Sequence, residues 1–219
     1  MTAGEDYNGA LQLAREAVAG NPDNMWYKIL LANILQKKAM IEEACNVYAD
    51  IIAKYPNKEE FYLIEAELYI SVEKWQKAIE VFDRYEQQNG ITEPVSIEKI
   101  KLYTKLDDVK KASNELLKLI RKFPDKSEYL SLLAELYFNY NQDKKGLQIL
   151  DRILKAEPDN GFVHFYLADY YRSKKELKEA DRHTKEALVS DKIENGYKIQ
   201  YILKLILNPD TTLTSPCTR

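Results

Sequence analysis

Residues 59–89 read EEFYLIEAELYISVEKWQKAIEVFDRYEQQN, and the spacing of their apolar positions decides the fold. Tyr62, Glu65, Ala66 and Tyr69 recur at helical intervals in the first half, and Trp75, Ala78, Phe82 and Tyr85 do so in the second. Ser71 to Lys74 form a polar joint between the two. The stretch therefore predicts a helical hairpin. A single hairpin of this size cannot bury both of its stripes, so it requires stacked neighbours.

The neighbours are written at a fixed distance on either side. Ala10, Ala44, Ala78, Ala112 and Ala180 stand at multiples of 34 residues, with Gly146 in the one remaining place. Pro22, Pro56, Gly90, Pro124 and Pro158 keep the same step and mark the turns between hairpins. A small column, Ala32, Ala66, Ile100, Ala134 and Ala168, is followed three residues later by a large one, Leu35, Tyr69, Tyr103, Tyr137 and Tyr171. Small side chains let helix backbones approach, and the large ones fill the wedge between hairpins.

These columns are similar to those of the tetratricopeptide repeat family, whose unit is a 34-residue helix-turn-helix with small, aromatic and proline positions at such offsets. Trp26-Tyr27 and Tyr62 sit near its tryptophan position. Pro22-Asp23-Asn24 and Pro158-Asp159-Asn160 resemble its closing turn, and Glu5-Asp6-Tyr7 its mid-hairpin turn. The resemblance implies an all-α α-solenoid, a right-handed superhelix of about 12 helices. The expected organisation is a single array over 1–207: a half repeat at 5–22, full repeats at 25–58, 59–92, 93–126, 127–160 and 161–194, and a terminal helix at 195–207. Residues 208–219, rich in Thr, read as a disordered tail. The chain starts in mid-repeat, which leads us to expect a piece of a longer protein. The third repeat is the weakest copy, because Ser96 and Lys99 occupy apolar places, and its first helix is expected to be short.

Composition excludes several classes of function. A net charge of −3 gives no electrostatic footprint for a nucleic-acid backbone. No apolar run reaches the roughly 18 residues of a membrane span, and Met1 to Asp6 lacks the regions of a secretory signal. The expected setting is soluble, in the cytoplasm or, in a bacterium, the periplasm. Cys45, inside an apolar stripe, reads as a small buried hydrophobe, and Cys217 as an exposed thiol.

No reactive constellation emerges. His164 and His183 are the two histidines; the first falls in an interface column and the second reads as outward-facing surface. Metal-ligand spacings, a nucleophile with a positioned base, and glycine-rich phosphate loops are missing from the sequence. We therefore expect no enzyme activity, no metal and no cofactor.

In stacked hairpins the first helices line the concave side. The columns there contain Ile29, Leu63, Ile97 and Phe165, then Asn33, Glu67, Lys101, Glu135 and Asp169, then Gln36, Ile70, Phe138 and Arg172, with Trp26 and Phe162 near helix starts. Relatives that clamp a peptide carboxylate place Lys and Asn on the first groove helix. Asn33 fits that pattern, but Ile29 stands where the lysine belongs, and Glu128 and Leu132 replace the basic pair, so that mode is disfavoured. The expectation is a scaffold that binds a peptide or protein segment with apolar anchors and some basic residues. A second reading is end-to-end self-association through the terminal helices, since Ile199, Leu203, Ile206 and Leu207 leave an apolar face on the last one. A third is the recruiting arm of a larger multidomain protein.

Overall fold

The computed structural model describes residues 3–124, 126 and 128–207. The expected disordered tail and Cys217 lie outside them. Among the described residues there are twelve α-helices and no strand: α1 (Ala3–Gly20), α2 (Met25–Lys37), α3 (Ile41–Lys54), α4 (Glu59–Ser71), α5 (Trp75–Asn89), α6 (Glu93–Lys105), α7 (Val109–Lys122), α8 (Glu128–Asn139), α9 (Asp143–Ala156), α10 (Gly161–Ser173), α11 (Leu177–Val189) and α12 (Asn195–Leu207). The fold is the all-α repeat class of the solenoids. The chain divides into two compact units, Met1–Glu115 and Leu116–Arg219.

Each hairpin turn repeats one backbone device. Ala39, Glu73, Asp107, Asn141 and Lys175 all have positive φ, between 55° and 65°, at a spacing of 34 residues. The residue after each donates its N–H back to the first helix: Met40 to Leu35 O, Lys74 to Tyr69 O, Asp108 to Tyr103 O, Gln142 to Tyr137 O and Glu176 to Tyr171 O, at 2.8–2.9 Å. This is the left-handed cap that satisfies the last carbonyls of a helix and reverses the chain. Glycine adopts that conformation freely, yet none of the five is glycine, so each is held there by the surrounding hairpin. We expect Glu73→Gly to stabilise unit 1 by about 0.5–1 kcal/mol, read as a higher urea midpoint at constant slope.

Helix starts are set by local chemistry as well. The Asn24 side chain accepts from the N–H groups of Trp26 and Tyr27, and Asn160 does the same for Val163. Pro94 occupies the first turn of α6. Gly90, the glycine in the proline column, closes α5 with φ of 80°.

The small column is buried as its role demands: Ala44, Ala78, Ala112 and Ala180 have no measurable exposure. Gly146 departs from it because Phe138 fills the space. A Cβ there would meet the Phe138 ring at 2.6 Å. In unit 1 a core forms from Leu11 and Ala14 of α1, Leu31, Ile34 and Leu35 of α2 and Ala44 of α3, with Leu68 of α4 packed against it. In unit 2 one cluster joins Ala134, Leu150, Ile153, Val163 and Leu167, and a second joins Phe165, Ala168, Ala187, Ile193 and Tyr201.

Two expectations are corrected. Glu5-Asp6-Tyr7 are not a turn, because α1 already begins at Ala3. Nor is α6 short: its 13 residues equal those of α4. Lys99 does not disrupt it, because the ammonium lies 2.7 Å from Asp83, 2.8 Å from Glu86 and 3.0 Å from Glu115, and Ser96 Oγ donates to Glu86. Burial works against the charged form of Lys99, but these carboxylates outweigh it and hold the ammonium above its ordinary range. A buried polar place in a helix is tolerated when its charge is fully partnered.

Candidate functional site

In unit 1 the expected binding residues lie on α2, α4 and α6. Trp26 is 71% exposed and Leu63 39%. Ile29, Ile70 and Ile97 are half-buried, and Asn33, Glu67 and Lys101 face solvent. Gln36 turns inward and donates to the Tyr48 hydroxyl at 3.1 Å, and that hydroxyl in turn faces Asn33 Oδ1 at 3.4 Å. Lys101 pairs with Glu98 of its own helix at 2.7 Å, so its charge is answered locally and the acid of Glu67 sets the character of this face. The face therefore offers apolar side chains bordered by acid.

Unit 2 differs. Phe165 is 1% exposed, its ring 4.0 Å from that of Tyr201 and 5.7 Å from that of Tyr197. Asp169 is buried too and accepts from the Tyr201 hydroxyl at 2.9 Å. Burial pushes its carboxyl above the ordinary range. Phe165 and Asp169 thus do not face a ligand, because α12 covers the columns they occupy. Phe138 leans over Gly146 and between the rings of Tyr166 and Tyr170, at 5.1 and 5.2 Å. Glu135 is half-buried, and Arg172 pairs with Asp181 at 3.5 Å. Phe162 stays half exposed, edge-on to Tyr197.

A shallow hollow of about 350 Å³ lies elsewhere, between the turns of the first two hairpins, lined by Met40, Glu42, Val72 and Lys74 among others. Glu42 is ion-paired with both Lys74 and Lys77, so the hollow presents little free charge. It contains none of the expected binding residues.

The chemistry-bearing side chains are held in packing. Cys45 is buried, burial raises its thiol to about 11, and its Sγ points at Glu65 O. Glu65 is buried and takes both oxygens to Arg84 Nη2 at 2.7 and 2.8 Å. His183, read from sequence as surface, is in fact buried, with its Nδ1 2.9 Å from His164 Nδ1 and its ring stacked on Tyr171. The signal lies in its own column, Leu13, Val47, Val81, Glu115 and Ile149, which is mostly apolar. Among the described residues no group of three or more His, Cys, Asp or Glu is placed to hold a metal ion, and no helix is long and apolar enough to cross a membrane.

The tetratricopeptide repeat family model matches residues 1–68, which include α1 to α3 and most of α4. That match falls on the columns and turns described above. Over residues 1–68 the chain is a tetratricopeptide repeat protein. As such it is similar to the mouse (Mus musculus) interferon-induced protein with tetratricopeptide repeats 2, with 27% identity over 127 residues. That alignment covers 56% of this chain and 27% of the relative, so the tetratricopeptide repeat protein spans a minor part of its relative's length. In solved structures its fold is similar to the MamA protein, at 15% identity and a TM-score of 0.51 over 87% of this chain and 98% of that one. It is also similar to a chain of Naa15/Naa10 bound to HypK-THB, at 16% identity and a TM-score of 0.59 over 94% of this chain and 33% of that one. Tetratricopeptide repeat arrays generally serve as protein-interaction scaffolds.

Proposed function

We propose that the α2–α4 face of unit 1 binds a peptide or protein segment carrying apolar anchors and basic residues. The observation that carries this reading is the pair Trp26 and Leu63, large apolar side chains left in solvent on the first helices of adjacent hairpins, with the exposed Glu67 one turn after Leu63 on α4. An exposed aromatic supplies contact area at small entropic cost, and a neighbouring carboxylate favours a Lys or Arg on the ligand. Ile29 and Ile70, half-buried on the same two helices, extend the apolar surface. In unit 2 the corresponding contribution is Phe162.

The test is selection of a displayed random-peptide library on the chain. Enriched peptides should pair Leu, Ile or Phe with Lys or Arg, and Leu63→Asp should weaken their binding at least tenfold with the helical signal unchanged. Binding that survives Leu63→Asp and Trp26→Ala in a folded protein sinks the proposal.

A further inference from the structure

We propose that the chain self-associates end to end, with α12 of one copy packed against α1 and α2 of the next. This goes beyond peptide binding and uses different residues. Inside unit 2 the first helices cover one another. Phe165 and Asp169 of α10 lie beneath Tyr197 and Tyr201 of α12, and Phe138 of α8 lies beneath Tyr166 and Tyr170 of α10. In unit 2 one set of columns is covered, and another set does the covering.

The 34-residue step carries both sets to the two ends of the chain. The covered columns of Phe165, Asp169 and Phe138 reach Ile199, Leu203 and Ile206 on α12. All three are apolar and at least half exposed, the last at 69%. The covering columns of Tyr197 and Tyr166 reach Tyr27 and Leu30 on α2, which are exposed as well. The face that α12 leaves open is thus the face that α2 is built to cover. Stacking one on the other continues the helix contact already present between α10 and α12.

A second contact points to the same partner. Within a hairpin, the column of His183 faces the columns of His164 and Tyr171. Its member on α1 is Leu13, which is 67% exposed, and the facing members on α12 are Lys198 and Leu205. In the first full hairpin Lys28 pairs with Asp50 at 3.8 Å. The same two columns give Lys198 on α12 and the exposed Glu16 on α1, so the two ends carry opposite charges at matching places. Such a contact joins two different surfaces, so both remain available on the outer copies and assembly continues with concentration.

Light scattering and sedimentation on the full chain test this. The average mass should rise above the 25.5 kDa of one chain as concentration increases. Leu203→Asp and Leu13→Asp each disable one end at an exposed position, so both variants should stay folded by circular dichroism and run as monomers. Mixed in equal amounts, they should form a one-to-one dimer and nothing larger, because one working end of each kind remains. Lys198→Glu should weaken association at least fivefold, and adding Glu16→Lys to it should restore it. A wild-type chain that stays monomeric at high concentration overturns the proposal. So does self-association of Leu13→Asp alone, or a mixture that fails to pair.

Discussion

Replacing Lys99 by methionine should cost unit 1 about 3–5 kcal/mol of stability, the expected loss when one partner of a buried ion network is removed. Methionine keeps most of the stem volume and removes the charge. Glu86 and Glu115 are nearly as buried as Lys99, so their carboxylates would be left in a poorly solvated site facing each other. A urea melt at neutral pH reads the loss, and a change of less than about 1 kcal/mol would show that water reaches the network. The companion variant follows from the repeat itself. Lys99→Leu and Glu115→Val in the third hairpin, with Glu86→Ile in the second, introduce the residues found in the same columns at Leu133, Val81 and Ile120. That triple variant should be about as stable as the native chain or more so, since a well-packed apolar substitute commonly matches or exceeds a buried ion network.

Acid should destabilise unit 2 through His183, and the proton positions explain why. Arg182 can only donate, so the contact of its Nη2 with His183 Nε2 at 2.8 Å makes that nitrogen an acceptor. The proton of His183 is then on Nδ1 and is donated to His164 Nδ1 at 2.9 Å. His164 carries its own proton on Nε2 and donates it to Pro158 O at 3.0 Å. A further proton on His183 would break this chain. Burial, the Arg182 guanidinium and His164 lower the His183 imidazole to about 4, with Glu179 opposing them, and the Tyr171 ring closes one face. The unfolded chain binds the proton near pH 6.5, whereas the native one holds out to about 4. Stability is therefore complete above 6.5 and falls through that window, by about 3 kcal/mol at its lower end. Hydrogen exchange in α10 and α11 at pH 7 and at pH 4 measures it. His183→Val, which copies its column mates Val47 and Val81, should flatten the acid limb.

The sequence makes the repeat legible because each hairpin packs on its neighbour in the same way, so the same columns stay small or large at every copy. Ala78 and Ala112 are recognisable as contact points from their spacing alone. The partner of a polar residue is not legible in that way. Lys99 stands out in a column that is apolar but for Glu65, and its carboxylates come from three other columns, Asp83, Glu86 and Glu115, whose convergence depends on the packing. The left-handed turn residues are hidden because none is glycine. Of the expected binding residues, Trp26 and Leu63 emerge in solvent. Phe165 and Asp169 do not, since Tyr197 and Tyr201 of α12 close over them.

A chain whose segments are nearly interchangeable faces a problem of address, because any hairpin could stack on the wrong neighbour by slipping one repeat. Moved one step back, the places of Asp83 and Glu86 are held by Ala49 and Ile52; moved one step forward, by Leu117 and Ile120. In either slipped stack the Lys99 ammonium would lose both carboxylates of the neighbouring hairpin to aliphatic side chains and keep only Glu115 of its own. The ion network is therefore a label that only one arrangement can read, and it fixes the third hairpin to its place in an otherwise repetitive chain.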